Sequence, residues 1–190
     1  MKPRAIPVLL VLAACNEDQF YRPEKLTFNA GLGGTTERGQ TFTVGKTGTM
    51  VSLDIWIKRF EENVDLEVDV RPTEIGEPTT NNPEPIVPVG GQDGNDGVLG
   101  SKTVKWELVA GEVTWLRVNV DDFEVTEGDV LAITLRAPGG SFNYGVMGAA
   151  PTKALPDYEG GGSCERATDN HGWSCGKDDF GFATYVKVEK

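Results

Sequence analysis

Several groups of residues in this chain have the types and spacing that chemistry needs, and most fall short of a complete set. His171 is the one histidine, with Asp169 and Ser174 close by. A hydrolytic triad brings nucleophile, base and orienting carboxylate together from separate parts of a fold. Three residues in one short stretch do not make that geometry, and no Gly-x-Ser-x-Gly turn occurs, so His171 reads as a loop residue. Glycoside hydrolysis needs two carboxylates on opposite sides of the scissile bond. Glu61-Glu62, Asp121-Asp122 and Asp178-Asp179 are adjacent pairs, better read as solvated turns in an acidic chain. Asp179 has a second reading, as a backbone hydrogen-bond acceptor at the start of the last strand. Asp93, Asn95 and Asp96, in Asp-Gly-Asn-Asp-Gly, are the metal candidates, because calcium prefers several oxygens from a tight glycine-containing loop. The loop is one residue short of an EF-hand pattern and lacks the downstream glutamate, which leaves a plain turn as the stronger reading. Calcium is the one candidate cofactor.

Aromatic residues form another group. Trp56 alternates against Ile55 and Ile57, Trp115 alternates against Leu116, and Tyr144, Tyr158 and Trp173 fall near loops. Such rings can stack on sugars or cover a sheet. Tyr158 and Trp173 are the candidate ligand contacts, in a loop region braced by two cysteines.

The third chemistry belongs to Cys15. Lys2 and Arg4 precede an apolar run, Ala5 to Leu12, too short to span a bilayer, which takes about 20 residues. Leu12-Ala13-Ala14-Cys15 closes it. This tetrad resembles the bacterial lipobox, which implies a signal peptide over residues 1–14 and a lipidated Cys15 as the first mature residue. Asn16-Glu17-Asp18 follows rather than an Asp-first pattern, which favours the outer membrane. Cys164 and Cys175 remain as an even pair in an exported setting, where a disulfide is expected. Closing that short loop contributes about 3 kcal/mol on loop entropy. Metal ligation by the pair with His171 ranks far behind.

Charge narrows the partners. Loss of Lys2 and Arg4 with the signal takes the net charge from −11 to −13. No basic patch is left for nucleic acid. The elements that must position these residues read as strands. Gln40 to Val44 alternates; Val51, Leu53, Ile55 and Ile57 share a face; so do Leu66, Val68 and Val70. Val104-Trp106-Leu108, Leu116-Val118-Val120, Leu131-Ile133-Leu135 and Phe142-Tyr144-Val146 continue the pattern. The last strand turns Phe180, Phe182, Val186 and Val188 one way and Tyr185 the other. Residues 15–38 read as the lipidated Cys and a tether, on which Phe20, Tyr21, Leu26 and Phe28 are the docking candidates. Residues 74–100 and 148–179 read as loops. The expectation is an all-β, two-sheet antiparallel sandwich over residues 39–190, jelly-roll-like.

Three segments in order, Gln40–Leu53, Val125–Ile133 and the set Tyr158-Glu159-Gly160-Gly161, Trp173, Asp179–Val186, resemble the choice-of-anchor jelly-roll modules of bacterial secreted proteins. Leu131 stands where that pattern commonly has an aromatic, and the Cys164–Cys175 loop is an addition. The resemblance implies an exported, non-enzymatic module and brings no catalytic or ligand residues. The expected function is therefore a surface lipoprotein, membrane-held by its lipid, that binds a glycan or another envelope protein. The alternatives are a glycan-active hydrolase and a calcium-dependent carbohydrate-binding protein.

Overall fold

The computed structural model of the protein describes residues 15–23, 27–61, 63–75, 86–89, 97–139, 142–149, 158–167, 172–176 and 178–188. Its strands are β1 (Cys15–Tyr21), β2 (Phe28–Leu32), β3 (Thr36–Thr43), β4 (Gly48–Arg59), β5 (Leu66–Ile75), β6 (Ile86–Pro88) and β7 (Gly100–Val104). They continue with β8 (Thr114–Val125), β9 (Val130–Arg136), β10 (Tyr144–Ala149), β11 (Ser163–Ala167), β12 (Ser174–Cys175), β13 (Asp179–Phe180) and β14 (Phe182–Lys187). Two antiparallel sheets pack face to face, as the alternating pattern predicts. In sheet A, β4 lies between β8 on one side and β14 and β10 on the other; β1 flanks β14, β2 flanks β10, and β13 pairs β10. Sheet B runs β12-β11-β3-β9-β5, with β6 and β7 both against β5.

The core lies where the period-two faces meet. Leu53, Ile55, Ile57, Val118, Phe182 and Val186 from sheet A are buried with Phe42, Leu66, Val68, Val70, Ile133 and Leu135 from sheet B. Phe42 and Phe182 meet across the layers with ring centroids 6.0 Å apart. Full burial of one such side chain is worth about 1.5–3 kcal/mol. At one end, Gln40 of β3 bridges the sheets. Its Nε2 donates to Asp179 Oδ1 at 2.8 Å, and its Oε1 accepts the Phe180 N–H at 2.8 Å.

Five readings of the sequence change. Residues 15–38 are not a tether: they supply β1, β2 and the start of β3, paired with β14, β10, β9 and β11. Sandwich strands thus begin well before residue 39, and Tyr21 and Phe28 pack against the core. Val104-Trp106-Leu108 is not one strand, because β7 ends at Val104 and a 3-10 turn covers Trp106–Leu108. Asp65 captures that turn, accepting the Trp106 N–H at 3.1 Å and Lys105 Nζ at 2.6 Å, and Leu108 is left 70% exposed. In β4 a bulge between Met50 and Ser52 turns Met50 inward in place of Val51. Tyr144 is fully buried, with its hydroxyl donating to the Val64 carbonyl, and burial pushes its phenol up to about 12. The segments read as loops also hold β6, β11 and β12.

Candidate functional site

The outer face of sheet A gathers the most chemically distinctive side chains among the described residues. Antiparallel pairing of β4 with β8 sets Trp56 opposite Trp115 and Asp54 opposite Arg117. The two indoles stack with centroids 5.7 Å apart and planes 9° from parallel. Gly181, where β13 gives way to β14, lies directly beneath them: a Cβ there would sit 2.9 Å from Trp56 Cβ. The Arg22 guanidinium, just past β1, lies 5.6 Å from the Trp115 ring and 5.7 Å from the Phe20 ring. Trp115 is 38% exposed and Phe20 55%.

Alongside runs a network of ion pairs. Arg117 bonds both oxygens of Asp54, with Nη2 to Oδ2 at 3.0 Å, and its guanidinium lies 3.9 Å from the centre of the Tyr185 ring. The Tyr185 hydroxyl donates to Asp54 Oδ2 at 2.8 Å and accepts from Arg22 Nη2 at 3.0 Å; Glu17 Oε2 lies 3.2 Å away. Arg22 also pairs with Glu17 at 2.6 Å. Two carboxylates and two guanidiniums therefore balance. Burial, reinforced by the Asp54 carboxylate, raises the Tyr185 phenol above its ordinary value, so it is held protonated. That is the opposite of what a phenolate nucleophile needs. The network is balanced in charge, and the face beside it is rich in ring area.

Tyr158 and Trp173 are placed apart from this cluster. Tyr158 packs edge-on against Phe182, with centroids 5.1 Å apart, and its hydroxyl reaches Gln19 Oε1 at 3.2 Å and the Thr43 N–H at 3.4 Å. Burial raises its phenol too. It lines a recess with Gln19, Gly45 and Glu127. Trp173 lies over Gly39 on the outer face of sheet B. Arg166 holds it there, its guanidinium 4.7 Å from the indole, and pairs with Glu37 at 2.5 Å, both nearly fully buried. Cys164 and Cys175 are disulfide-bonded, directly opposite each other on β11 and β12.

The carboxylate pairs separate. Asp121 and Asp122 are exposed, but within β8 rather than in a turn. Asp178 and Glu61 are exposed. Asp179 is completely buried, correcting its reading as a solvated residue: its Oδ2 accepts the Tyr158 N–H at 2.9 Å, the role given as its second reading. Asp93, Asn95, Asp96, His171, Asp169 and Glu62 lie outside the described residues, as do Leu26 and residues 1–14. No group of three His, Cys, Asp or Glu side chains placed to hold a metal occurs among the described residues.

Alternation alone turns Trp56 and Trp115 outward, and with them Asp54 and Arg117. Their pairing depends on the β4–β8 register, and the contributions of Glu17, Phe20 and Arg22 depend on β1, which carries no alternating signal. The chain matches no protein-family model and no curated protein.

Proposed function

We propose that the chain is an exported lipoprotein of the choice-of-anchor type, acylated at Cys15 and held in the outer membrane, whose sandwich binds another envelope component and does not catalyse. Binding occurs through the outer face of sheet A. The observation that carries this reading is the Trp56–Trp115–Arg22 stack beside Tyr185, with Trp115 and Phe20 still open to solvent. Trp, Tyr and Arg are the residues enriched where binding energy concentrates, and here they already pack on one another, which lowers the entropy lost on association. Trp115 is already in contact with Trp56 and with Arg22. With these rings already engaged with one another and Phe20 open beside them, the patch suits a protein surface better than a pyranose ring stacked flat. The self-paired carboxylates and the protonated Tyr185 support a binding role over hydrolysis.

Photocrosslinking in intact envelopes tests this. A crosslinker at position 20 or 115 is expected to trap one species of defined mass, whereas one at exposed Lys102 on the opposite sheet traps none. Capture of a polysaccharide would move the reading to glycan binding. Turnover of a glycan, ester or peptide by the purified domain, abolished by Asp54→Asn, would overturn it.

A further inference from the structure

The position of Cys15 in the fold has a consequence that rests on the lipid anchor proposed above. The chain has no slack between that residue and the domain, because its backbone already pairs with Lys187 as the first residue of β1. A lipid on Cys15 sets its backbone at the headgroup layer, which is roughly 5–8 Å deep on each side of a bilayer. The register then runs level across sheet A, from Cys15 to Lys187, to Thr49, to Glu124. At about 4.8 Å per strand this rung spans roughly 14 Å.

Just past the rung lie the turns at 44–48 and 125–129, which are bonded to each other and to β1. Val44 N–H donates to the Asp129 carbonyl and Gly128 N–H to the Val44 carbonyl, each at 2.8 Å. Glu127 N–H donates to Thr47 Oγ1 at 2.9 Å. Gly45 N–H donates to Asp18 Oδ2 at 3.0 Å, and Lys46 Nζ to the Glu17 carbonyl at 2.7 Å. The anchor and both turns therefore form one braced surface. It carries Lys46 and Lys187 against exposed Glu124, Glu127 and Asp129, a mixed set with acid in slight excess, suited to zwitterionic and repelled by anionic headgroups.

We propose that this end of the sandwich rests against a zwitterionic lipid-headgroup surface, so that the domain stands directly on the bilayer. The opposite end, at Gly111-Glu112, is set off by β8, whose 12 residues span roughly 36 Å. The test uses the purified lipidated protein in vesicles of phosphatidylcholine and phosphatidylethanolamine carrying a headgroup nitroxide. Fluorophores are placed singly at Glu127→Cys or Glu112→Cys, both exposed positions, with folding checked by circular dichroism. The label at 127 is expected to lose most of its emission and the label at 112 to keep it. A 12-residue Gly-Ser insertion between Cys15 and Asn16 should abolish the difference. Equal quenching of the two labels on a protein whose mass confirms acylation overturns the proposal and leaves the anchor standing. A mass without acyl chains removes the anchor, and the proposal with it.

Discussion

Asp179 shows how much a single buried carboxylate holds at the open end of this sandwich. It accepts from Gln40 and from the Tyr158 backbone, joining β3, β13 and the segment that carries Tyr158. Asp179→Ala removes the acceptor of the Tyr158 N–H and leaves Gln40 Nε2 with only the Thr41 carbonyl, and a loss of about 2–4 kcal/mol follows from under-satisfied buried polar groups. Chemical denaturation checks this; a loss within the range of surface substitutions would refute it. Asp18 and Asp65 respond to pH in opposite senses. Burial raises the Asp18 carboxyl above its ordinary value, outweighing the Gly45 N–H bond and the nearby Lys46 charge. The folded state holds that proton more tightly than the unfolded chain, so the group's contribution falls as pH rises from the ordinary value through the raised one. Bonds from Lys105 and the Trp106 N–H lower the Asp65 carboxyl. Its contribution is present above the ordinary value and fades as pH falls through the lowered one. Between about pH 3 and pH 6, either side of the carboxylate range, Asp18→Asn should gain melting temperature relative to wild type and Asp65→Asn should lose it. Matching trends in the two variants would contradict these assignments.

Among the elements, β4, β5, β8, β9 and β14 are legible in the sequence because each turns apolar residues to one face at period two. The strands that escape notice have other signatures. β1 is polar and finds its partner at the far end of the chain. β2 includes Gly31, where a Cβ would overlap the Phe142 ring, so its irregular composition serves packing rather than alternation. The turn after β7 mimics a strand in its pattern and is redirected by Asp65, 41 positions from Trp106. The same limit governs the candidate site: which rings face outward is readable, but which rings meet is a matter of register. Gly181 marks the point where β13 passes into β14 beneath the indole stack. Gly181→Ala inserts a methyl 2.9 Å from Trp56 Cβ and 3.1 Å from Trp115 Cη2. Overpacking of this kind costs about 1–3 kcal/mol. The near-ultraviolet circular dichroism of the stacked pair should fall along with stability; an unchanged spectrum would show that the stack does not depend on that glycine.

At the scale of the molecule, the first and last of the described strands lie side by side. Gln19 takes the Thr184 hydroxyl as a backbone partner and Glu17 reaches Tyr185, contacts separated by 165 and 168 residues. β14 also lines the long flank of β4, between Thr49 and Ile55. Truncation after Asp178 should therefore abolish cooperative unfolding rather than trim an edge, and a sharp melting transition in the truncated chain would refute that. The consequence reaches into folding. β1 has no place to pair until β14 is available, so sheet A cannot close around the early strands alone. Pairings this distant in sequence form slowly, and until they do β1 and β4 each present an open strand edge. The sandwich is therefore most vulnerable in the interval before β14 takes its place between β1 and β4.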